Sequence, residues 1–236
     1  MKTKLFLLTI FALPLITIAQ EEKSEKKFRD NIAVSFDPTA GGQFIDLSEL
    51  NSSLNQIGFS NFSNGNSNLG INVGFWFYER AFIGTEWSFV SNFKNPTSSN
   101  NQTAYLDGSR LLIIVGYNFF RAEKINLSGY IGYGGNLSTL TIKDNSGFNT
   151  FNSAITSRNT STTDLISELI EFTVGADYLL KPKNMDCEKR KLRIGIRAGY
   201  QYGISNRWSS GTDEIQGPKI INNGLVFKVI FGQLQN

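Results

Sequence analysis

The sequence predicts an all-β chain: an eight-stranded antiparallel up-and-down transmembrane β-barrel with short periplasmic turns, long external loops and one short amphipathic helix in the first loop. Three observations lead there. An apolar leader opens the chain. Segments follow in which bulky apolar residues alternate with glycine, amide or charge, and the connections between them are short and long in turn.

The leader is "MKTKLFLLTIFALPLITIAQ". Lys2 and Lys4 precede an apolar run over 5–18, and Thr17, Ile18 and Ala19 close it with the small residues a signal peptidase reads. The run is short for a transmembrane helix and Pro14 interrupts it. The expected organisation is a signal peptide at 1–19, a charged periplasmic lead-in at 20–30 and a barrel at 31–234. Without the leader's two lysines the formal net charge falls from +3 to +1, so no electrostatic case remains for nucleic acid as a partner. The single cysteine, Cys187, excludes an internal disulfide. It sits in the charged stretch "KPKNMDCEKRK", where it is expected to be an incidental thiol.

The predicted strands are 31–37, 69–78, 81–91, 109–120, 124–142, 166–180, 191–208 and 223–234. A tilted strand crosses a bilayer in about 9–11 residues. "LRIGIRAGYQYGI" (192–204) displays the alternation most clearly. One register holds Leu192, Ile194, Ile196, Ala198, Tyr200, Tyr202 and Ile204; the other holds Arg193, Gly195, Arg197, Gly199, Gln201 and Gly203. Successive strand side chains point to opposite faces, so these are two surfaces. A narrow eight-stranded barrel has room inside for modest side chains only, which makes the glycine-bearing face the lumen. A lipid-facing arginine at the bilayer midplane costs about 2–4 kcal/mol, which also turns Arg193 and Arg197 inward. A soluble lipocalin-like barrel would need the large aromatics inside and would be overpacked by them.

Applied to every strand, the same parity predicts a lumen charge network of Asp37, Glu86, Glu171 and Asp177 against Arg110, Arg193, Arg197 and Lys228. The signs balance. Hairpin register through 181–190 brings Asp177 near Arg193. Phe77, Phe119, Tyr178 and Phe231 gather near the periplasmic ends, as an interfacial girdle requires.

The short connections are "YERA", "RAEK" and "KPKNMDCEKRK"; the others, such as "DNSGFNTFNSAITSRNTSTTD", are long and polar. Within the first long one, "FIDLSELNSSLNQIGF" (44–59) places Asp46 and Glu49 at capping-box spacing. Leu47, Leu50, Leu54 and Ile57 recur at helical intervals and Gly58 follows as a stop. This is the candidate docking helix. Its leucine face is expected either to fold over the barrel rim or to dock a partner.

The strand pairs "LGINVGFWFYERAFIGTEWSFV", "LLIIVGYNFFRAEKINLSGYIGYGGNL" and "LIEFTVGADYLLKPKNMDCEKRKLRIGIRAGYQYGI", together with the leader, resemble the small eight-stranded outer-membrane β-barrels of the OmpA/OmpX type and, more loosely, the PorT-like outer-membrane proteins. The likeness spans 31–234 and departs at the end, "FGQLQN", where many such barrels finish on an aromatic residue. It implies outer-membrane localisation in a Gram-negative envelope, with outer-membrane lipid as the surroundings; an envelope protein is the partner that the loops would take. Anchors, adhesins and secretion-complex parts share this fold, so the likeness leaves the role open.

Chemistry is sparse. The chain contains no histidine, which rules out a Ser-His-Asp triad and a histidine-based zinc site. Glu86 and Glu171 are carboxylates of the kind that perform acid–base work, but lumen ion pairs account for them better. "GYIGYGGNL" (129–137) lacks the helix a dinucleotide loop needs. "KDNSGFN", with Asp144 and Asn145, has no EF-hand spacing and is expected to be a turn. No catalytic residue, metal ligand or cofactor is expected. The function expected is non-enzymatic: a barrel presenting external loops and the loop helix for interaction, in an envelope assembly or at the cell surface. The alternative is a narrow channel or transporter for small or apolar solutes.

Overall fold

The structure is a computed structural model that describes residues 31–98, 101–122, 124–144, 160–180 and 190–235. The expected signal peptide, the lead-in and Cys187 lie outside the described residues.

Alternating apolar and small or polar residues produce β1 (Ile32–Phe44), β2 (Gly65–Phe77), β3 (Ala81–Asn92), β4 (Gln102–Arg121), β5 (Ile125–Asp144), β6 (Thr160–Leu180), β7 (Arg190–Ser210) and β9 (Gly224–Gln235). Each pairs antiparallel with its neighbour along the chain, and β9 pairs with both β7 and β1. Among the described residues the sheet therefore closes on itself as a ring of eight long strands. The three-residue β8 (Asp213–Ile215) folds back on the tip of β7. One helix, α1 (Ser48–Gln56), follows β1.

Most strands run further at the external end than their sequence pattern indicates, because polar residues there still alternate with small ones. β4 through β7 have 20 or 21 residues, against 12 or 13 in β1, β2, β3 and β9. About eight extra residues at roughly 3.4 Å each carry one side of the barrel beyond the other as a projecting wall. Its margins are covered. Ala104 N–H donates to Pro96 O at 2.9 Å, and on the far side Trp208 Nε1–H donates to Pro218 O at 2.7 Å.

The predicted two-faced pattern holds over the spanning part. Val34, Phe75, Leu111, Ile113, Phe172, Ile196 and Phe227 are exposed on the outside, while the opposite parity is buried. Phe119, Tyr178 and Phe231 are exposed at the short-turn end, and Phe77 is half-buried. A continuous exposed apolar belt around a closed sheet is the surface of a membrane-spanning barrel.

Two bulges break the parity. β4 carries one extra residue at Phe119, so Phe119 and Phe120 are both exposed. β7 carries one at Ile204, where Glu168 pairs with Ser205 and Leu169 with Gly203. Beyond it the faces exchange, which turns Trp208 inward to 4 % exposure.

Lumen glycines make room for large neighbours. A Cβ at Gly74 would stand 2.5 Å from the Phe82 ring, and one at Gly116 would overlap the Tyr130 ring. These rings join Ala33, Trp76, Leu112, Ile114 and Leu169 in an apolar cluster toward the short-turn end of the lumen. Gly74→Val should destabilise the barrel by about 1–3 kcal/mol through overpacking. Urea unfolding in detergent micelles measures this; an unchanged midpoint would mean that the Phe82 ring has space to move.

Candidate functional site

The lumen is built around two ion-pair clusters. β3, β4, β6 and β9 bring Glu86, Arg110, Glu171 and Lys228 to one level. Arg110 donates from Nη2 to Glu86 Oε1 at 2.7 Å and from Nη1 to Glu171 Oε2 at 3.0 Å. Lys228 Nζ reaches the same two acids, at 2.8 Å to Glu86 Oε1 and 2.5 Å to Glu171 Oε1. Each cation thus bridges both carboxylates. Gln43 Oε1 accepts a further bond from Arg110 Nη1 at 3.1 Å. The quartet is electrically neutral, and its members are between 1 and 3 % exposed.

The second cluster joins β1, β6 and β7. Arg193 binds the Asp37 carboxylate and lies 3.6 Å from Asp177 Oδ2, with its guanidinium 5.4 Å from the Trp76 ring centre. Two acids share this one arginine. Glycine again provides the space: a Cβ at Gly232 would overlap the Asp37 carboxylate, and one at Gly195 would overlap that of Asp177. Arg197 makes no ion pair within 4 Å among the described residues. Its guanidinium lies 3.8 Å over the Tyr130 ring. It stands across from Lys228 on β9, and its positive charge balances the excess acid of the second cluster. All eight predicted lumen charges are therefore buried together; seven form direct pairs and Arg197 uses an aromatic face.

The external mouth is closed by apolar packing of the loop helix against partners that the sequence pattern did not identify. Leu47, Leu50 and Leu54 of the loop helix are buried against Ile45, Phe59, Phe62, Ala104, Leu106, Leu165, Trp208 and Ile220. Of the two readings of the helix the structure shows rim folding: only Ile57 of the four candidate residues is exposed, and the leucines face the barrel. The Asn51 side chain fastens the loop by donating to Phe62 O at 3.2 Å and accepting from Phe62 N–H at 2.8 Å. The capping box is corrected. Asp46 Oδ1 accepts from Ser48 N–H at 2.9 Å, a bond that lowers the Asp46 pKa. Glu49 instead accepts from Lys219 N–H at 2.9 Å, tying α1 to the segment before β9. Phe59 and Phe62 lie in loops without period, and Trp208 lies past the Ile204 bulge, so strand parity gave no signal for them.

A rim contact at the short-turn end was also missed. Arg80 N–H donates to Phe77 O at 2.9 Å across a turn in which Tyr78 and Glu79 have φ of 52° and 54°. Hairpin turns of this shape favour Asn-Gly, and non-glycine residues are strained there. The turn aims Glu79 at Arg121 and at Lys191 Nζ, the latter 3.0 Å away. A space of about 10 Å³ remains beneath them, beside Trp76, Asn118 and Arg193. That is about the room for one water molecule.

Gly132 and Gly134 lie within β5 beside Leu112, as lumen packing requires. Asp144 ends β5 opposite Gln102, while Asn145 lies outside the described residues.

No family model matches the chain, and no curated protein matches it. Solved structures do. Neisserial surface protein A is 13 % identical over 87 % of this chain and 97 % of its own, with a TM-score of 0.41. A major outer membrane protein from Thermus thermophilus is 11 % identical over 86 % of this chain and 98 % of its own, with a TM-score of 0.44. The N-terminal β-barrel domain of Pseudomonas aeruginosa OprF is 11 % identical over 85 % of this chain and 96 % of its own, with a TM-score of 0.34. The closed eight-stranded sheet and its apolar belt, independently of these likenesses, make this chain a barrel of outer-membrane type.

Breaking a buried pair typically costs about 3–5 kcal/mol. Arg110→Ala should therefore lower the unfolding midpoint in micelles clearly more than Arg197→Ala, whose guanidinium leaves no carboxylate without its bonded cation. Equal losses would contradict the pairing described. Leu50→Asp with Leu54→Asp should expose the loop over 45–64 to added protease while the spanning strands stay resistant. Undiminished resistance would show that the cap does not depend on these leucines.

Proposed function

We propose that this protein is a closed outer-membrane barrel that works through its external surfaces, presenting its loops and projecting wall to an envelope or cell-surface partner without conducting solutes or catalysing a reaction. The observation that carries this reading is the packing of the lumen. Asp37 is 0 %, Lys228 1 % and Glu171 3 % exposed, which supports a lumen packed closed at the level of the charges. The mouth above them is filled by α1 and its apolar cluster.

The same packing weighs against the channel alternative. Glu171 accepts from the two cations through both oxygens and Glu86 through Oε1, so each carboxylate is engaged in a buried ion pair. The outside of the projecting wall differs from the belt below it. Tyr105, Thr139, Thr141, Thr162, Asp164 and Arg207 occupy its outward positions, with Thr139 Oγ donating to Asp164 Oδ1 at 2.7 Å. A sheet face of this composition belongs in water and suits a polar contact.

Planar-bilayer recordings of the purified barrel should give no discrete openings. Sustained single-channel steps would replace this reading with the channel. Cross-linking on intact cells, followed by mass spectrometry, should yield a stoichiometric partner; recovery of the barrel alone would remove the presentation role.

A further inference from the structure

The apolar belt is not uniform. A furrow of about 910 Å³ crosses its outer surface from β3 to β9. Its floor follows one row of paired residues: Ala81 opposite Tyr117, then Gly129, Val174 and Ala198. The next row, through Val115, Ile131, Phe172, Tyr200 and Leu225, forms its bank. Each row crosses four inter-strand spacings of about 4.8 Å each, a length suited to an extended hydrocarbon chain.

Gly129 sets the depth. It points outward, and a Cβ built on it would meet no atom within 4 Å. Packing inside the barrel therefore does not require glycine here, in contrast to the lumen glycines. A larger apolar residue would bury more surface in lipid, so its absence keeps the furrow open to something that lies in it.

The end of the furrow carries charge. Ala81 and Tyr117 lie at the short-turn rim, directly beside Arg80. The Arg80 guanidinium reaches outward to the Tyr117 hydroxyl at 3.4 Å, and no carboxylate among the described residues lies in salt-bridge range of it. Glu79, the acid next to it, is directed instead at Arg121 and Lys191. An apolar trough that ends beneath an exposed guanidinium and a phenol has the two-part chemistry of a phosphate-bearing lipid.

We propose that this furrow is a binding site for one anionic glycerophospholipid of the periplasmic leaflet. Arg80 and Tyr117 hold the phosphate, and an acyl chain lies along the row over Gly129 and Ala198. The inference rests on the membrane-spanning reading of the barrel, and it assigns the belt a retained lipid in place of a uniform annulus.

The test is native mass spectrometry of barrels extracted from nanodiscs of phosphatidylglycerol mixed with phosphatidylcholine. The wild-type protein should retain one phosphatidylglycerol per barrel. Gly129→Trp fills the furrow without touching the lumen and should abolish retention; Arg80→Gln should reduce it about fivefold, the effect of one surface cation. Ile113→Trp, on the same belt outside the furrow, should leave retention unchanged. Heat-modified gel mobility, read on each variant, reports whether the barrel is folded in the membrane. Folded barrels that retain no lipid, or retain it equally in all variants, overturn the site alone. Failure to insert in nanodiscs at all would overturn the membrane reading beneath it.

Discussion

A carboxylate inside a narrow barrel is tolerable only when a cation and hydrogen bonds replace the water it has lost. The rest of this lumen is arranged around that requirement. Glu86 and Glu171 are held by Arg110 and Lys228 in a neutral quartet, and each long cation needs clear space to reach both acids. Glycine provides similar space for the second cluster, at Gly195 and Gly232. One apolar cluster covers the charges at the external mouth, and another packs among them toward the short-turn end. In a medium of low polarity the ion pairs strengthen, while any unpaired member becomes costly. Pairing, glycine placement and capping are thus three consequences of one constraint.

The spanning architecture was legible because a strand with lipid on one side and a filled lumen on the other has almost no freedom in its pattern. Arg193 and Arg197 had to face inward, and Asp37, Glu86, Glu171 and Asp177 had to face inward with them. Their pairing was only partly legible. Register through the 181–190 turn indicated Asp177 for Arg193, but Arg197 over Tyr130 depends on where rings pack across the lumen, which alternation does not encode. The external end was read least well. There the chain no longer meets lipid, polar residues satisfy the strand pattern without apolar neighbours, and β1, β2, β4 and β6 extend unmarked. A single extra residue at Ile204 then exchanges the two faces and buries Trp208 where parity points it outward.

The helix shows why amphipathicity alone does not locate a partner. Leu47, Leu50 and Leu54 form an apolar stripe of the kind that docks, and the barrel mouth is what it docks on. Ile57 lies beyond the last turn of α1 and stays in solvent. The strained Tyr78–Glu79 turn makes the complementary point at the other end. It holds two positive φ values where Asn-Gly would be relaxed, and it places Glu79 between Arg121 and Lys191 and Arg80 on the lipid side. Both rims are therefore specialised, one for covering the lumen and one for meeting the bilayer surface.

Arg110 and Glu171 form one neutral, buried unit with Lys228 and Glu86. A double-mutant cycle with Arg110→Gln and Glu171→Gln, read as unfolding free energy in micelles, measures that coupling directly. The expected coupling is about 1.5 kcal/mol or more, within the range seen for contacting buried groups. Additive losses, with coupling near zero, would mean that water solvates each charge separately and that the lumen is open.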